Sequence, residues 1–216
     1  MERESQGERT VCVDEMTGIQ AQECTEKDLP LRPGKVQRRE FEYIRHGTQT
    51  LIANFNVATG QIISPTCGDT RTESDFAAHI RTTIKNDPDA SKWDFIVDCL
   101  NTHQSESLVR LVVELEGLEI ELGIKGESGI LKSMQTRTAF LSDPTHRIAF
   151  DYTPKHSSWL NQIEIWFSIL VRKLLRRASF SSKADLKSRI LDFIDYFNRT
   201  MAKPFKWTYK GKVLAM

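Results

Sequence analysis

Two short apolar runs, "VCV" at 11–13 and "FIV" at 95–97, each run directly into an aspartate, Asp14 and Asp98. Runs this short and this apolar fit strands buried on both faces, and such strands require a sheet covered by helices on each side. The residue just past such a run sits at the strand's end, where sites of α/β proteins gather. Two buried strands would therefore deliver two carboxylates to one edge of a sheet.

The hydrophobic period supplies the remaining elements. Leu51, Ala53, Phe55 and Val57 alternate with Ile52, Asn54 and Asn56, and "ATG" at 58–60 turns the chain into "QIISPTC", which predicts a hairpin. Phe76, Ala77, Ile80 and Ile84 mark one face of a helix that Pro88 ends, and Leu108, Leu111, Val112 and Leu115 mark another. "GLEIELGIKGESG" is too rich in glycine and charge for a core element, while "ILKSMQTRTAFL" has the makings of a short helix. The stretch 117–147 accordingly reads as an insertion or lid. "RIAFDY" at 147–152 alternates like a strand, a long helix is expected from Ser158 to about Arg177, and another starts at Ser182. In that last helix Asp185 completes a capping box, and Leu186, Ile190, Leu191, Ile194 and Phe197 form the inner face. The expected fold is α/β, a mixed central sheet flanked by helices, with a short arm at 1–10, a body at 11–200 and a basic tail at 201–216.

A chain of 216 residues, 39% hydrophobic and 27% charged, has material for one sizeable core. It has no apolar run of membrane-spanning length and no secretory leader at its start, so a cytoplasmic protein is expected. Cys12, Cys24, Cys67 and Cys99 lie far apart without a C-x-x-C pair, which argues against a zinc ribbon or disulfide framework and for reduced, mostly buried thiols. The net charge of +1 hides an asymmetry: residues 1–152 hold 17 Lys+Arg against 25 Asp+Glu, and residues 153–216 hold 13 against 4. A basic C-terminal third fits a phosphate-binding surface, or a solvated face answering an acidic body.

Glu164 is the third notable carboxylate. It stands in "SWLNQIEIWF" among Leu160, Ile163, Trp166 and Phe167, where an unpaired charge costs several kcal/mol. A divalent cation removes that cost, and oxygen ligands without a His or Cys cluster favour Mg²⁺ or Mn²⁺ over zinc. Two such ions about 3.5–4 Å apart can activate a water or sugar hydroxyl on one side of a phosphodiester and stabilise the departing oxygen on the other. Ordinary uses fit the same residues: Asp14 can begin a turn in "DEMTG", and Asp98 can cap the loop to the next helix. Glu164 can be the N3 partner of an Asn161 N-cap, or meet Arg172 two turns on.

The segments "VCVDEMTGIQA", "RREFEYIRHGTQTLIANFNVATGQI", "VDCLNTHQSESL", "YTPKHSSWLNQIEIWFSIL" and "YFNRTMAKPFKWTYKGK" closely resemble bacterial insertion-sequence transposases related to mariner elements, in the DDE endonuclease superfamily. The resemblance covers nearly the whole chain. It implies an RNase H-like fold and an Asp, Asp, Glu triad that binds two Mg²⁺ ions, Mn²⁺ substituting, cuts DNA at element ends and joins the 3′ hydroxyls to target DNA at TA dinucleotides. The family's first Asp matches Asp14, its second, followed by Asn and His, matches Asp98, and the Glu of "SWLNQIE" matches Glu164. Around these ligands Asn101 and His103 are expected within reach of the site, or as a loop satisfying its own backbone, and Asn161 is expected to support the ligands or contact phosphate. Lys155, Arg172, Lys173, Arg176, Arg177 and Lys206 are the expected DNA contacts. Trp207 reads either as a stacking residue or as a core anchor for the tail.

The chain departs from the family pattern in three places. Cys99 stands where many relatives have Asn, and the 65 residues between Asp98 and Glu164 exceed the usual mariner spacing by about the stretch 117–147. Only some ten residues precede the first strand, where relatives carry a helix-turn-helix region that reads the terminal repeats. The expected partners are duplex DNA, a second copy of the chain or a larger assembly, and a separate helix-turn-helix chain, with no membrane; association with the bacterial nucleoid follows from DNA binding. Two alternatives stay open, a DNA-binding remnant without activity and a stand-alone metal-dependent endonuclease of the same fold.

Overall fold

The computed structural model describes residues 2–26, 29–38 and 40–206, so Trp207 and the rest of the tail lie outside the described residues. A short helix α1 (Glu2–Ser5) leads into β1 (Glu8–Cys24), β2 (Tyr43–Asn56) and β3 (Ile62–Gly68). Helix α2 (Glu73–Lys85), strand β4 (Lys92–Val97), helices α3 (Glu106–Glu116) and α4 (Met134–Leu141), strand β5 (Ile148–Tyr152) and helices α5 (Ile163–Lys173) and α6 (Lys183–Thr200) follow. The sheet order is β3-β2-β1-β4-β5, with the first three strands antiparallel and β1, β4 and β5 parallel. Among the described residues no helix is long and apolar enough to cross a membrane.

Both faces of the sheet are covered, as the apolar runs require. Val11, Val13, Phe95, Val97 and Phe150 pack against Phe76, Ile80, Leu108 and Val112 of α2 and α3. On the other face Cys12, Leu51, Ala53 and Phe55 pack against Ile163, Trp166 and Leu170 of α5 and Ile190, Ile194 and Phe197 of α6. The expected hairpin closes through Asn56, whose N–H donates to Gln61 O at 2.9 Å and whose Oδ1 accepts from the N–H groups of Ala58 and Thr59. Gly60, at φ 73°, is needed there, since a Cβ would lie 2.1 Å from the carbonyl carbon of Lys203 as the chain leaves α6. Ser182 caps α6 by accepting from Asp185 N–H, and the Asp185 carboxylate reaches back to Ser181 N–H, one residue before the reciprocal bond of a capping box.

The structure corrects several boundaries. β1 starts at Glu8, inside the expected arm, and runs for 17 residues, because Gly18 at φ 65° lies in a register shift that lets "DEMTG" continue the strand instead of turning it. The segment 117–147 is tied into the core: Leu131 and Leu141 are fully buried, and Phe140 packs against the same cluster. The long helix expected from Ser158 divides into a single 3-10 turn at Ser158–Leu160, α5, and another turn at Leu175–Arg177. Two of the cysteines, Cys24 and Cys99, are exposed, while Cys12 and Cys67 are buried. Phe205 anchors the start of the tail, stacking on Phe55 with centroids 4.6 Å apart.

His79 is buried in α2 with Nδ1 against Thr66 Oγ1 at 2.8 Å, and burial pushes its pKa down to about 3. The unfolded chain takes up this proton below its ordinary value of 6.5, whereas the folded chain excludes it until about pH 3. The contribution to stability is therefore present above pH 6.5 and is lost as pH falls towards 3, with a slope of up to about 1.4 kcal/mol per pH unit. Urea midpoints measured between pH 7 and 4.5 should fall more steeply for the wild type than for His79→Gln.

Candidate active site

β1 and β4 run parallel, with Val11 beside Phe95 and Cys12 beside Ile96. Continuing that register by two residues sets Asp14 beside Asp98, the first residue past β4. Side chains alternate along a strand, so Asp14 shares the α5 face with Cys12, and Glu15 shares the opposite face with Val11 and Val13. Asp14 is 8% exposed, and its Oδ1 accepts from Glu15 N–H at 2.8 Å. The Asp14 carboxyl is pushed up to about 7, first by burial and then by the neighbouring Asp98 charge, against the pull of the Glu15 N–H bond.

His103 organises the second carboxylate. It is fully buried in a 3-10 turn at Asn101–Gln104, packed on the Phe76 ring with centroids 4.3 Å apart. Its Nδ1 meets Asp98 Oδ1 at 2.8 Å, and its Nε2 meets Glu15 Oε2 at 3.1 Å. Burial alone would lower the His103 pKa, but the bonds to Asp98 and Glu15 outweigh it and push it up to about 9. The same bond to His103 holds the Asp98 carboxyl below its usual range. Asp98 Oδ1 also accepts from Leu100 N–H at 3.0 Å, so Asp98 does shape its own loop, although the N-cap of α3 is Ser105. These bonds gather on Oδ1 and leave Oδ2 available. Ligand atoms of Asp14, Asp98 and His103 lie within 4.8 Å of one another. With both ring nitrogens engaged by carboxylates, however, His103 has no lone pair left for a cation, so Asp14 and Asp98 are the candidate ligands.

Glu164 lies in the first turn of α5, half-buried, and stands outside that close group. Burial, and then the Asp98 charge, raise its carboxyl above the ordinary value. The capping alternative for Glu164 is corrected: α5 starts at Ile163, its N-cap position is Gln162, and no side chain caps it. Asn161 is instead fully buried, donating through Nδ2 to Val13 O at 2.9 Å. That bond ties the entrance of α5 to β1 one residue before Asp14, and burial takes Asn161 out of reach of phosphate. Asn161→Ala should cost about 1–3 kcal/mol in urea unfolding, because it strands the buried Val13 carbonyl. Asn101 is exposed at the start of the 3-10 turn, and Cys99 turns its thiol to Thr153 O at 3.3 Å.

The basic residues are spread out. Lys155, on the connection from β5 to α5, is exposed at the carboxylate edge. Arg172 and Lys173 are exposed at the far end of α5, with Arg172 about 12 Å along the axis from Glu164. Arg176 and Arg177 line a groove of about 400 Å³ with Glu40, Phe41 and Tyr43 from the outer part of the β1–β2 arm. Lys206 follows Phe205 at the opposite end of the sheet, near the β2–β3 turn, and is not brought to the carboxylates. Glu15 was missed by sequence reasoning, although alternation through "VCVDE" already places it opposite Asp14.

The sheet order β3-β2-β1-β4-β5, with helices on both faces, is that of an RNase H-like fold. The chain belongs to the DDE superfamily endonucleases, whose family profile matches residues 9–187. Among solved structures, the Mos1 transposase paired-end complex with left transposon end is 15% identical and superposes with a TM-score of 0.55, covering 95% of this chain and 52% of that one. The Mos1 mariner paired-end complexes with Mn and with Mg are 14% and 13% identical, each with a TM-score of 0.35, covering 92% of this chain and 57% of theirs. This chain thus spans about half the length of the solved structures it resembles, and at these identities the likeness concerns the fold. No curated protein sequence matches it.

Proposed function

We propose that the chain is the catalytic domain of a DDE transposase that cleaves DNA at element ends and transfers the freed strand to a target, TA dinucleotides being the expected sites. The carrying observation is the pairing of Asp14 and Asp98 at the ends of adjacent parallel strands, with ligand atoms of the two within 4.8 Å of each other. Three carboxylates, those of Asp14, Glu15 and Asp98, gather around one imidazole, an excess of negative charge that suits divalent cations. Two Mg²⁺ or Mn²⁺ ions held there would supply activation of the attacking oxygen and stabilisation of the leaving one.

In this reading Asp14, Asp98 and Glu164 hold the cations, and His103 keeps the Asp98 carboxylate oriented. Asn161 fixes the spacing of α5 from β1. Lys155 and the Arg172, Lys173, Arg176 and Arg177 group answer DNA phosphates, neutralising charge without reading sequence. Lys206 is the weakest of the proposed contacts because of its place at the opposite end. Recognition of element ends would come from a helix-turn-helix region on the same or another chain, and a pair of copies would bring two ends together.

The test is incubation of the purified chain with labelled duplex carrying the presumed element ends, in Mg²⁺ and then in Mn²⁺. Nicking or joining that requires the metal is the expected result. Retardation of DNA without metal-dependent cleavage would overturn the enzymatic reading in favour of a binding remnant, and cleavage indifferent to end sequence would favour a stand-alone endonuclease.

A further inference from the structure

Glu15 has no role in the reading above, yet its placement is unusual. Its side chain is 1% exposed, Oε2 is bonded to His103 Nε2, and Oε1 is buried without a hydrogen-bond partner among the described residues. A carboxylate in that position costs stability unless something else requires it. The imidazole it touches is packed on by the Phe76 ring and meets Asp98 Oδ1 through its other nitrogen, while the His103 backbone is held by Tyr152 Oη, which donates to His103 O at 2.7 Å. The backbone N–H of Glu15 meanwhile donates to Asp14 Oδ1. One residue thus contacts one of the paired aspartates directly and the other through a single ring.

We propose that Glu15 is a positioning residue for the proposed metal site, holding the His103 ring at Nε2 so that Nδ1 stays against Asp98 Oδ1 and Asp98 Oδ2 is left for a cation. With Nε2 against Glu15 the ring is held at both nitrogens, and the strand's alternation places Glu15 on the face away from Asp14. The adjacent "DE" pair therefore divides its work across the sheet, Asp14 on one face and Glu15 on the other.

This inference deepens the proposed metal site and rests on it, so the two are measured together. Mn²⁺ affinity is taken by calorimetry for the wild type, Glu15→Leu, Glu15→Gln and Asp98→Asn, with urea unfolding of each. Glu15→Leu removes a buried carboxylate but leaves His103 Nε2 without its partner, so its urea midpoint is expected to fall modestly, while its Mn²⁺ Kd rises about 10- to 100-fold. Glu15→Gln, whose amide oxygen still accepts from Nε2–H, should recover most of that loss. A role in stability alone would not raise the Kd of a chain that is fully folded where the affinity is measured. Wild-type affinity in a folded Glu15→Leu chain, with affinity lost in Asp98→Asn, overturns the positioning role and leaves the metal site standing. Wild-type affinity in Asp98→Asn overturns both. If Glu15→Leu does not fold, Glu15→Ala takes its place, and wild-type Mn²⁺ affinity in a folded Glu15→Ala chain overturns the proposal.

Discussion

Asp98→Asn should reduce the proposed metal-dependent DNA cleavage on the order of 10³-fold or more, while leaving the fold intact. The substitution keeps the size of the side chain and an oxygen that can accept from His103 Nδ1–H and Leu100 N–H, the two bonds that Asp98 Oδ1 receives. What it removes is the negative charge that a divalent cation needs. The loss corresponds to about 4 kcal/mol or more of transition-state stabilisation. A second readout avoids catalysis: Mn²⁺ raises the melting temperature of a chain that binds it only when folded, and Asp98→Asn should lose most of that rise. Wild-type cleavage by Asp98→Asn would mean that the chemistry lies elsewhere.

Trp166→Ala carries the largest expected effect on stability, a loss of about 3–5 kcal/mol in urea unfolding, out of the about 5–15 kcal/mol typical of a folded domain. Trp166 is fully buried, edge-on to Phe197 with centroids 6.0 Å apart and tilted against Phe167 at 5.8 Å. It holds α5 to α6, and α5 carries Glu164 in its first turn. Trp166 Nε1 has no hydrogen-bond partner among the described residues. Trp166→Phe therefore removes volume but no hydrogen bond, and should cost only about 1–2 kcal/mol. If both substitutions cost the same, packing at this position is not what anchors the helix.

The order of elements was legible because buried strands and amphipathic helices leave different periods, and the faces of α2, α3 and α6 follow those periods. The meeting of Asp14 and Asp98 was legible for the same reason, since each ends an apolar run of a buried strand. What escaped was decided by tertiary contacts. Asn161 looks locally like a helix cap, but its amide is taken by Val13 O across 148 positions of sequence. "DEMTG" looks like a turn, yet pairing with β2 carries the strand through it and absorbs the glycine as an irregularity. Glu15 looked like an ordinary neighbour of Asp14, because its partner His103 lies 88 positions away.

The parallel pairing of β1 with β4 also works as a ruler. Neighbouring strands lie about 4.8 Å apart, so backbone hydrogen bonds set the gap between the Asp14 and Asp98 backbones before any side chain acts. A slip of β1 by one residue would leave a sheet with the same number of bonds but would exchange the two sides, turning Glu15 towards α5 and Asp14 towards His103. Insertion or deletion of a single residue between Val11 and Asp14 is therefore the kind of change this domain tolerates least: it could keep its strands and lose its site.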